Sequence, residues 1–496
     1  MERRTEILFF RRHILARLEG EMVYKDLRQF MQALETTGDI LKVGQEVDWD
    51  LEAGAINRWF YEQAGPAVHF EKLKDYESGY SIFAGSLGTY RRVAIAMGLP
   101  PETSIRDLYH EYERRLHNPI DPIIVSTGPC KENILLGDDI DVFRFPAPMI
   151  HDGDGGRYIG TWDLVVCRDP DSDWMNWGMY RFMVHDRDVL AGFPLPTSHM
   201  GALLLNKYVP RNQPMPMALV IGADPLCHMA ALSTYKMGLS EASLAGGLRR
   251  KPVELVKCET NDLLVPANAE IVIEGQILPN VTIPEGPFGE YSGYRTGKVT
   301  GGEYCKITAI TYRTNPILTM ISLGMPPDDN AVTVSMTAAI TIKERLQRHN
   351  IPVTDVYVPA EGAVFTVVVG VEKGGKDMVR RILEVLTERR VFASKIIVVD
   401  KDVDPFDMKQ VIHAFSVKCH PGRGIFVTEY PGRGNPITPC FSEEEREKLE
   451  GATAIFDCTW PLEWEPGEIP IKSSFLDIYP KSIQEKVLRD WGAVSK

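Results

Sequence analysis

The segment Glu285–Glu290, with the sequence EGPFGE, places two carboxylates five residues apart in a stretch that cannot form a helix. Pro287 fixes its φ angle and has no N–H, while Gly286 and Gly289 allow backbone conformations that other residues avoid. The segment therefore predicts a tight loop with both acids within reach of one site. Two close carboxylates beside a cation acquire different pKa values, so one can accept a proton and the other donate it. The alternative is a surface turn with two solvated glutamates.

A strand-like run, Asn176–Arg181 (NWGMYR), places an arginine where a core strand would not have one. Arginine keeps its charge and is buried only with a partner, so an acid is expected nearby. Glu285 and Glu290 are candidates for that partner. The alternative is that Arg181 faces solvent on an edge strand.

Three further residues form a mixed set of oxygen and nitrogen donors: Asn176, His199 and Glu241. His199 follows a proline-rich loop, and Glu241 lies in a mostly apolar helical stretch, which is unusual for an acid without a partner. Such a set suits a hard divalent cation, manganese or magnesium, especially one that also bridges a phosphate. The alternative for the histidine is an ordinary hydrogen-bonding role, because sequence spacing does not bring the three together.

Size and composition bound the possible classes of protein. The chain has 496 residues, 44% of them hydrophobic and 25% charged, which predicts two to four domains with ordinary cores. Its net charge of -13 argues against a general nucleic-acid binder. No apolar run approaches the length of a membrane span. The eight cysteines include no CxxC pair, which favours reduced thiols in a cytoplasmic enzyme.

Residues 1–21 are interpreted as an N-terminal extension. They carry several arginines around the short apolar run Ile7–Phe10, which is too short for a signal peptide. The extension is either a short basic amphipathic helix, or translation begins at Met22.

Residues 22–130 are predicted to form an N-terminal α/β domain. Apolar residues at helical spacing follow Lys25, and Gly38 is placed to end that helix. Strands are predicted at Ala67–Phe70 and Val93–Ala96. A second helix is predicted to begin at Ser104, with Asp107 completing a capping box.

Residues 131–325 are predicted to form a β-barrel or sandwich, because short strand-like runs and turn signals alternate. A helical stretch is predicted between Pro225 and Arg250. The predicted strands are Tyr158–Cys167, Met175–His185, Met217–Ile221, Glu270–Glu274, Lys306–Tyr312 and Pro316–Ile321.

Residues 326–440 show a βαβα order that predicts a parallel or mixed sheet covered by helices. The predicted strands are Ala363–Val369 and Lys395–Val399, each followed by a helix. Residues 441–496 form a predicted tail, irregular from Phe441 until Ser482. There a capping box with Glu485 opens an amphipathic helix, which contacts either another subunit or its own chain. The fold class is mixed α/β.

Taken together, Asn176-x-Gly178-x-Tyr180-Arg181, His199, Glu241 and the EGPFGE string resemble the UbiD-like decarboxylases, which use prenylated flavin mononucleotide. The resemblance runs from about Met22 to the C-terminal helix. It implies an N-terminal α/β domain, a central split β-barrel of flavin-reductase type and a C-terminal α/β domain.

The resemblance also implies roles for individual residues. Arg181, Glu285 and Glu290 are expected to be catalytic. A manganese (or magnesium) ion would join its three ligands to the cofactor phosphate, and a potassium ion would sit beside it, on backbone carbonyls around Trp177 and residues 231–233. The expected metal ligands are Asn176, His199 and Glu241; the expected cofactor-binding residues are these three with Met179, Arg181, Ser198 and Lys472.

The implied reaction is a reversible, non-oxidative decarboxylation of an aromatic or heteroaromatic acid, with carbon dioxide as the second small molecule. Glu290 would return the proton, with Arg181 orienting Glu285. Ser198 and the hydroxyl of Tyr291 suggest an acid more polar or larger than simple cinnamates, such as a hydroxybenzoate. The alternatives are a decarboxylase of cinnamate-like unsaturated acids, a non-catalytic flavin-binding subunit, or a flavin reductase. A flavin prenyltransferase is expected to supply the cofactor, and a homodimer or homohexamer is the expected assembly.

Overall fold

The computed structural model describes residues 24–233, 235–295, 300–388 and 393–491. The predicted N-terminal extension, residues 1–21, lies outside these ranges. Within them the chain is mixed α/β, with four sheets and helices against them. No helix in the described ranges combines the length and the apolar character that crossing a membrane requires.

The N-terminal part confirms the predicted first helix. Asp26 caps it by accepting from the N–H of Gln29, and Gly38 ends it at φ 74°. A four-stranded sheet has the order Ile40–Val47, Ala67–Leu73, Ser81–Ala84 and Ile317–Met320. The elements are α1 (Leu27–Thr37), β1 (Ile40–Val47), α2 (Glu52–Glu62), β2 (Ala67–Leu73), β3 (Ser81–Ala84), α3 (Tyr90–Ala96) and α4 (Ile105–Leu116).

The strand predicted at Val93–Ala96 is wrong, because this stretch is part of helix α3. Thr89 caps that helix by accepting from the N–H of Arg92. The run is buried on all sides, and a continuously apolar run carries no period that separates a strand from a buried helix. Helix α4 does follow its predicted cap, Ser104.

The central part is dominated by a nine-stranded antiparallel sheet with the order β6-β9-β10-β15-β14-β11-β7-β8, and β5 pairs with β15. The register of β14 on β15 shifts twice, which bends and twists the sheet into a curled half-barrel. The elements are β4 (Ile123–Ile124), β5 (Asn133–Leu136), β6 (Tyr158–Gly160), β7 (Asp163–Arg168), β8 (Met175–Gly178), β9 (Phe182–Asp186), β10 (Val189–Gly192), α5 (His199–Leu203), β11 (Met215–Ile221), α6 (Pro225–Ala231), α7 (Glu241–Arg249), β12 (Glu254–Lys257), β13 (Leu264–Pro266), β14 (Ile271–Glu285), β15 (Thr300–Tyr312) and β16 (Ile317–Met320).

Two predicted long strands are each two strands in the structure. The run at 158–167 divides into β6 and β7, and the run at 175–185 divides into β8 and β9. The two strands of a run do not pair with each other. β7 of the first run pairs with β8, and β9 of the second run pairs with β6. The interruption between β8 and β9 contains Arg181, which is therefore outside the ladder and near the end of β14.

The last strand of the central part joins two regions. β16 pairs in parallel with β3, so Ile317 lies opposite Ser81 and Met320 opposite Ala84. This pairing completes the N-terminal sheet with a strand that follows the curled sheet in sequence. One buried cluster fills the inside of the curled sheet, and another extends from α1 and α4 to the C-terminal sheet.

The C-terminal part has a mixed five-stranded sheet with the order β17-β18-β19-β21-β20. β18, β19 and β21 run parallel, and β17 and β20 are antiparallel edges. The elements are α8 (Asp329–Arg348), β17 (Val353–Tyr357), β18 (Thr366–Val371), α9 (Lys376–Thr387), β19 (Lys395–Asp400), α10 (Met408–Lys418), β20 (Ile425–Tyr430), α11 (Glu443–Glu447), β21 (Gly451–Cys458) and α12 (Lys481–Trp491).

The expectation of irregular chain from Phe441 to Ser482 is wrong, because β21 lies inside the sheet between β19 and β20. Its alternating pattern is half-buried and contains small residues, which weakens the sequence signal for a strand. The last helix begins at Lys481, so Ser482 lies within it and is not its cap.

Candidate active site

The arginine predicted to need an acidic partner has two. Arg181 donates from Nε to Glu285 Oε1 at 2.9 Å and from Nη2 to Oε2 at 2.8 Å, a bidentate pair. Its Nη1 donates to Glu290 Oε1. Glu285 ends β14, and Glu290 closes the acid loop, residues 285–290. The structure therefore brings the three predicted catalytic residues together.

This cluster is buried. The side chain of Glu285 has no exposed surface, and that of Arg181 is 16% exposed. Burial alone lowers the pKa of Arg181, but the two carboxylates outweigh it and raise that pKa above its ordinary value. Burial raises the pKa of Glu290, against the opposing effect of Arg181 and with the help of the nearby Glu285 and Asp154 carboxylates. Glu290 is thus the acid of the cluster that holds its proton more strongly than usual.

Aromatic side chains surround the arginine. The guanidinium carbon of Arg181 lies 4.5 Å from the ring centroid of Phe193 and 5.4 Å from that of Phe288. Tyr158 donates from its hydroxyl to Glu285 Oε1 at 2.8 Å. Glu285 therefore receives at least three hydrogen bonds, which fix the position of its carboxylate and leave Glu290 as the less strongly held acid.

The structure also brings the three predicted metal ligands together. Asn176 Oδ1 lies 3.0 Å from His199 Nδ1, and that nitrogen lies 3.8 Å from Glu241 Oε1. Glu241 Oε2 accepts the N–H of Trp177 at 3.1 Å. Asn176 lies on β8, whereas His199 and Glu241 each begin a helix, α5 and α7. Both helices begin at serine caps, Ser198 and Ser240, which set the direction of the first side chain.

The chemistry of this donor set fits a divalent cation. Asn176 is fully buried and Glu241 is 3% exposed, yet no lysine or arginine forms an ion pair with Glu241 among the residues that the structure describes. A buried carboxylate without a positive partner is unfavourable, and a metal ion removes that cost. One amide oxygen, one imidazole and one carboxylate are suitable ligands for manganese or magnesium. In the described ranges no group of three or more His, Cys, Asp and Glu side chains has metal-site geometry; this set contains only two residues of those types.

The remaining predicted cofactor residues lie in different places. Ser198 precedes His199 and donates to the carbonyl of Leu195 at 2.6 Å. Met179 is half-buried between β8 and Arg181, so both lie beside the two clusters. Lys472 is not brought to them: its Nζ donates to the carbonyl of Asp402 at 3.2 Å, in the C-terminal part.

Tyr291, which follows the acid loop, faces the C-terminal part. Its hydroxyl accepts from Asn435 Nδ2 at 2.8 Å, and its ring stacks on Phe365 with centroids 6.1 Å apart. The prediction that this hydroxyl selects a more polar substrate stays a prediction.

Sequence reasoning missed the residues that surround the acid loop. His151 and Asp154 form a pair at 2.8 Å directly beneath it. The ring of Tyr158 packs on Phe288 of the acid loop, with ring centroids 4.4 Å apart. The signal available was the string HDGDGG at residues 151–156, where a histidine and two acids alternate with glycines. Such glycines are typical of a loop that other backbone approaches closely.

Three family models match consecutive parts of the chain. They are described as the 3-octaprenyl-4-hydroxybenzoate carboxy-lyase N-terminal domain, at residues 31–112, the Rift-related domain, at 123–326, and the C-terminal domain, at 331–458.

Curated relatives align along nearly the whole chain. Phenolic acid decarboxylase of Sedimentibacter hydroxybenzoicus is 34% identical, over 92% of this chain and 95% of the relative. Pyrrole-2-carboxylic acid decarboxylase of Pseudomonas aeruginosa is 32% identical, and ferulic acid decarboxylase 1 of Saccharomyces cerevisiae is 29% identical. Each of these two covers 94% of this chain and 97% of the relative.

Solved structures agree in fold. The closed form of vanillic acid decarboxylase from Sedimentibacter hydroxybenzoicus has a TM-score of 0.84 and 31% identity, covering 94% of this chain and 99% of that one. An evolved dimeric form of the UbiD-class enzyme HmfF from Pelotomaculum thermopropionicum, in complex with prFMN, has a TM-score of 0.76 and 29% identity, covering 90% and 97%. Because the models of one family follow one another along the chain and its relatives align from end to end, the chain belongs to the UbiD family and is an enzyme of the carboxy-lyase type.

Proposed function

We propose that this enzyme removes carbon dioxide from an aromatic or heteroaromatic carboxylic acid with the help of prenylated FMN, and that Glu290 is its proton donor. The observation that carries the proposal is the asymmetry of the two acids around Arg181. Glu285 is held by a bidentate pair and by Tyr158, whereas Glu290 has a single contact to the arginine and a raised pKa.

The asymmetry assigns different work to the two acids. When the bond to the carboxylate breaks, the electron pair stays on the ring carbon and must receive a proton. A general acid needs a pKa near the working pH, and burial moves that of Glu290 in this direction. Arg181, kept charged by Glu285, orients the Glu290 carboxyl and limits its pKa. In the reverse direction the same carboxylate would remove the proton, which supports a reversible reaction.

Asn176, His199 and Glu241 would hold a divalent cation, manganese or magnesium, next to the cofactor phosphate. The supporting observation is their convergence around a buried carboxylate that has no lysine or arginine partner in the described chain. When bound, the prenylated flavin supplies an electron sink that no side chain can supply. A potassium site at the backbone carbonyls of Trp177 and residues 231–233 is part of the same proposal.

The substrate class is supported by the relatives, whose names include phenolic, pyrrole-2-carboxylic and ferulic acids. A simple aromatic or heteroaromatic acid is favoured over a cinnamate, because the relatives named for pyrrole-2-carboxylic acid and vanillic acid are 32% and 31% identical, against 29% for ferulic acid decarboxylase 1. A central split barrel of flavin-reductase type and a cytoplasmic enzyme are part of the proposal. So are a flavin prenyltransferase as the source of the cofactor and a dimer or hexamer. Helix α12 supports the oligomer, since Ile483, Val487, Leu488 and Trp491 are 36–66% exposed on it.

The test is Glu290→Gln in protein produced together with a flavin prenyltransferase. Glutamine keeps an acceptor for Arg181 but has no proton to give, so carbon dioxide release should fall by about 10²–10⁴-fold while the bound flavin spectrum is retained. In the wild type, kcat should fall as pH rises through the raised pKa of Glu290, because only the protonated acid donates. Unchanged turnover in the variant would refute the donor assignment.

The matched control is Glu303→Gln. Glu303 lies on β15, its pKa is also raised by burial, and it has no ion pair with Arg181 in the described chain. Turnover and the pH profile of this variant should match those of the wild type across a panel of aryl, heteroaryl and cinnamate-like acids.

A further inference from the structure

A second loop, residues 151–156, lies directly under the acid loop and is called the support loop here. The N–H of Gly155 donates to the carbonyl of Pro287 at 2.8 Å. A Cβ at Gly155 would lie 2.1 Å from the carbonyl oxygen of Gly286, so only glycine allows the two backbones to approach this closely. The two loops are therefore packed backbone against backbone.

Asp154 of the support loop holds the acid loop next to its catalytic residue. Its Oδ1 accepts the N–H of Gly289 at 3.1 Å, immediately before Glu290 in the chain. Its Oδ2 lies 2.8 Å from His151 Nδ1 and also accepts the backbone N–H of His151 at 3.1 Å. The side chain of Asp154 has no exposed surface. A buried carboxylate with all these bonds holds its position firmly.

His151 connects this arrangement to the N-terminal part. Its Nε2 lies 3.3 Å from Ser322 Oγ, and its ring meets the edge of Phe288 with centroids 5.6 Å apart. The N–H of Ser322 donates to Asn57 Oδ1 at 3.0 Å, and its carbonyl accepts from Arg58 at 2.9 Å. Both of these partners lie on α2. His151 thus connects the acid loop, through Ser322, to helix α2 of the N-terminal part.

We propose that Asp154, oriented by His151, is a positioning residue for the reaction: it fixes the backbone at Gly289 and thereby sets where the Glu290 carboxyl presents its proton. This inference rests on the proposed function, because it takes Glu290 to be the donor.

The charge of Asp154 has a second consequence. Among the described residues, the charged groups that act most strongly on the pKa of Glu290 are Arg181, Glu285 and Asp154, and the two carboxylates oppose the arginine. Removing the negative charge of Asp154 therefore lowers the pKa of Glu290. The hydrogen bond from Gly289 and the charge of Asp154 can be separated experimentally. An asparagine at this position still accepts the N–H of Gly289 but carries no negative charge.

The test compares Asp154→Asn with Asp154→Ala. In Asp154→Asn the amide oxygen still accepts from Gly289, and the amide NH₂ donates to His151 Nδ1 when Nε2–H donates to Ser322. Hydrogen exchange of the acid-loop peptide is measured by mass spectrometry on the cofactor-free protein, and kcat is measured against pH on the reconstituted enzyme.

In Asp154→Ala, exchange at the acid loop should become about tenfold faster and kcat should fall about 10–100-fold, as expected for a misplaced donor. In Asp154→Asn, exchange should match the wild type, while the alkaline limb of the kcat profile moves to lower pH. A merely structural role would lower kcat equally at every pH and leave that limb in place. If Asp154→Ala does not fold, Asp154→Asn still decides the question, since the hydrogen bond from Gly289 is retained and only the one from the backbone N–H of His151 is lost.

Asp163→Asn is the matched control. Asp163 is fully buried on β7 in the same sheet and makes no hydrogen bond to the acid loop in the described ranges. It should change neither the exchange nor the pH limb. Wild-type exchange and turnover in Asp154→Ala, or an unmoved limb in Asp154→Asn, would overturn the inference. If instead Glu290→Gln keeps full turnover, the proposed function fails, and the exchange data alone decide whether Asp154 positions the loop.

Discussion

The two polar clusters of the curled sheet differ in whether the protein completes them. Around Arg181, three nitrogens of one rigid guanidinium donate to two carboxylates, so every charge has an opposite charge in contact. Around His199, an amide oxygen and a carboxylate converge on an imidazole, and no lysine or arginine pairs with that carboxylate in the part of the chain described. The first cluster is assembled by folding alone. Under the proposed function, the second is completed by a divalent cation.

The two clusters therefore differ in which groups stabilise their buried carboxylates. Burying a charge costs several kcal/mol unless it is paired and hydrogen-bonded. Glu285 offsets that cost with Arg181 and Tyr158, whereas Glu241 receives one backbone N–H and the neighbouring histidine. Substitutions and metal ions should therefore affect the two clusters in opposite ways.

The largest effect is expected from Arg181→Leu. Two buried carboxylates would lose their positive partner, so the free energy of unfolding should fall by about 3–5 kcal/mol and turnover should be lost. Urea unfolding of the cofactor-free protein measures the first. Arg181→Lys, which keeps the charge but loses the bidentate geometry, should cost less. Equal stability of the leucine variant and the wild type would mean that the acids do not need the arginine.

The next effect concerns the second cluster. Manganese at about 100 times its dissociation constant should raise the free energy of unfolding of the wild type by about 2.7 kcal/mol, and Glu241→Gln should abolish most of that gain. Without metal, Glu241→Gln should be as stable as the wild type or more so, because a buried charge is removed. Chelation followed by thermal unfolding checks both. A metal-free variant that is much less stable would contradict the comparison.

A smaller effect is expected in the acid loop itself. A Cβ at Gly289 would lie 2.6 Å from His151 Cε1, so Gly289→Ala should cost about 1–3 kcal/mol by overpacking and should lower kcat. Gly467→Ala is the control, since nothing lies within 4 Å of that position. Adding His151→Ala creates room for the new methyl group, so the double variant should cost less than the sum of the two single ones. Strict additivity would show that the two positions do not meet.

The smallest effect is expected from Tyr291→Phe. The phenylalanine keeps the stack on Phe365 and loses the hydrogen bond from Asn435, which should cost about 0.5–1.5 kcal/mol. Because Asn435 belongs to the C-terminal part, a change in kcat larger than the change in stability would show that the acid loop senses the position of that part. Unfolding curves measure the change in stability, and steady-state kinetics on the same preparation measure the change in kcat.

The sequence by itself determined the features that depend on local chemistry. The glycines and proline of the acid loop, the helix end at Gly38, the cap at Ser104 and the βαβ order of the C-terminal part were all predictable from neighbouring residues. The residue types of both clusters were also recognisable, because acids, arginine and histidine are uncommon in buried strands and helices.

Only the tertiary structure decided which of these residues meet. Arg181 and Glu285 are 104 residues apart in the chain, and they come together because the interruption between β8 and β9 faces the end of β14 in the curled sheet. Neither hydrophobic period nor propensity carries that information, since both are local. For the same reason the sequence displays the HDGDGG string but not the contact of His151 and Asp154 with the acid loop, which exists only because two glycine-containing loops pack backbone against backbone.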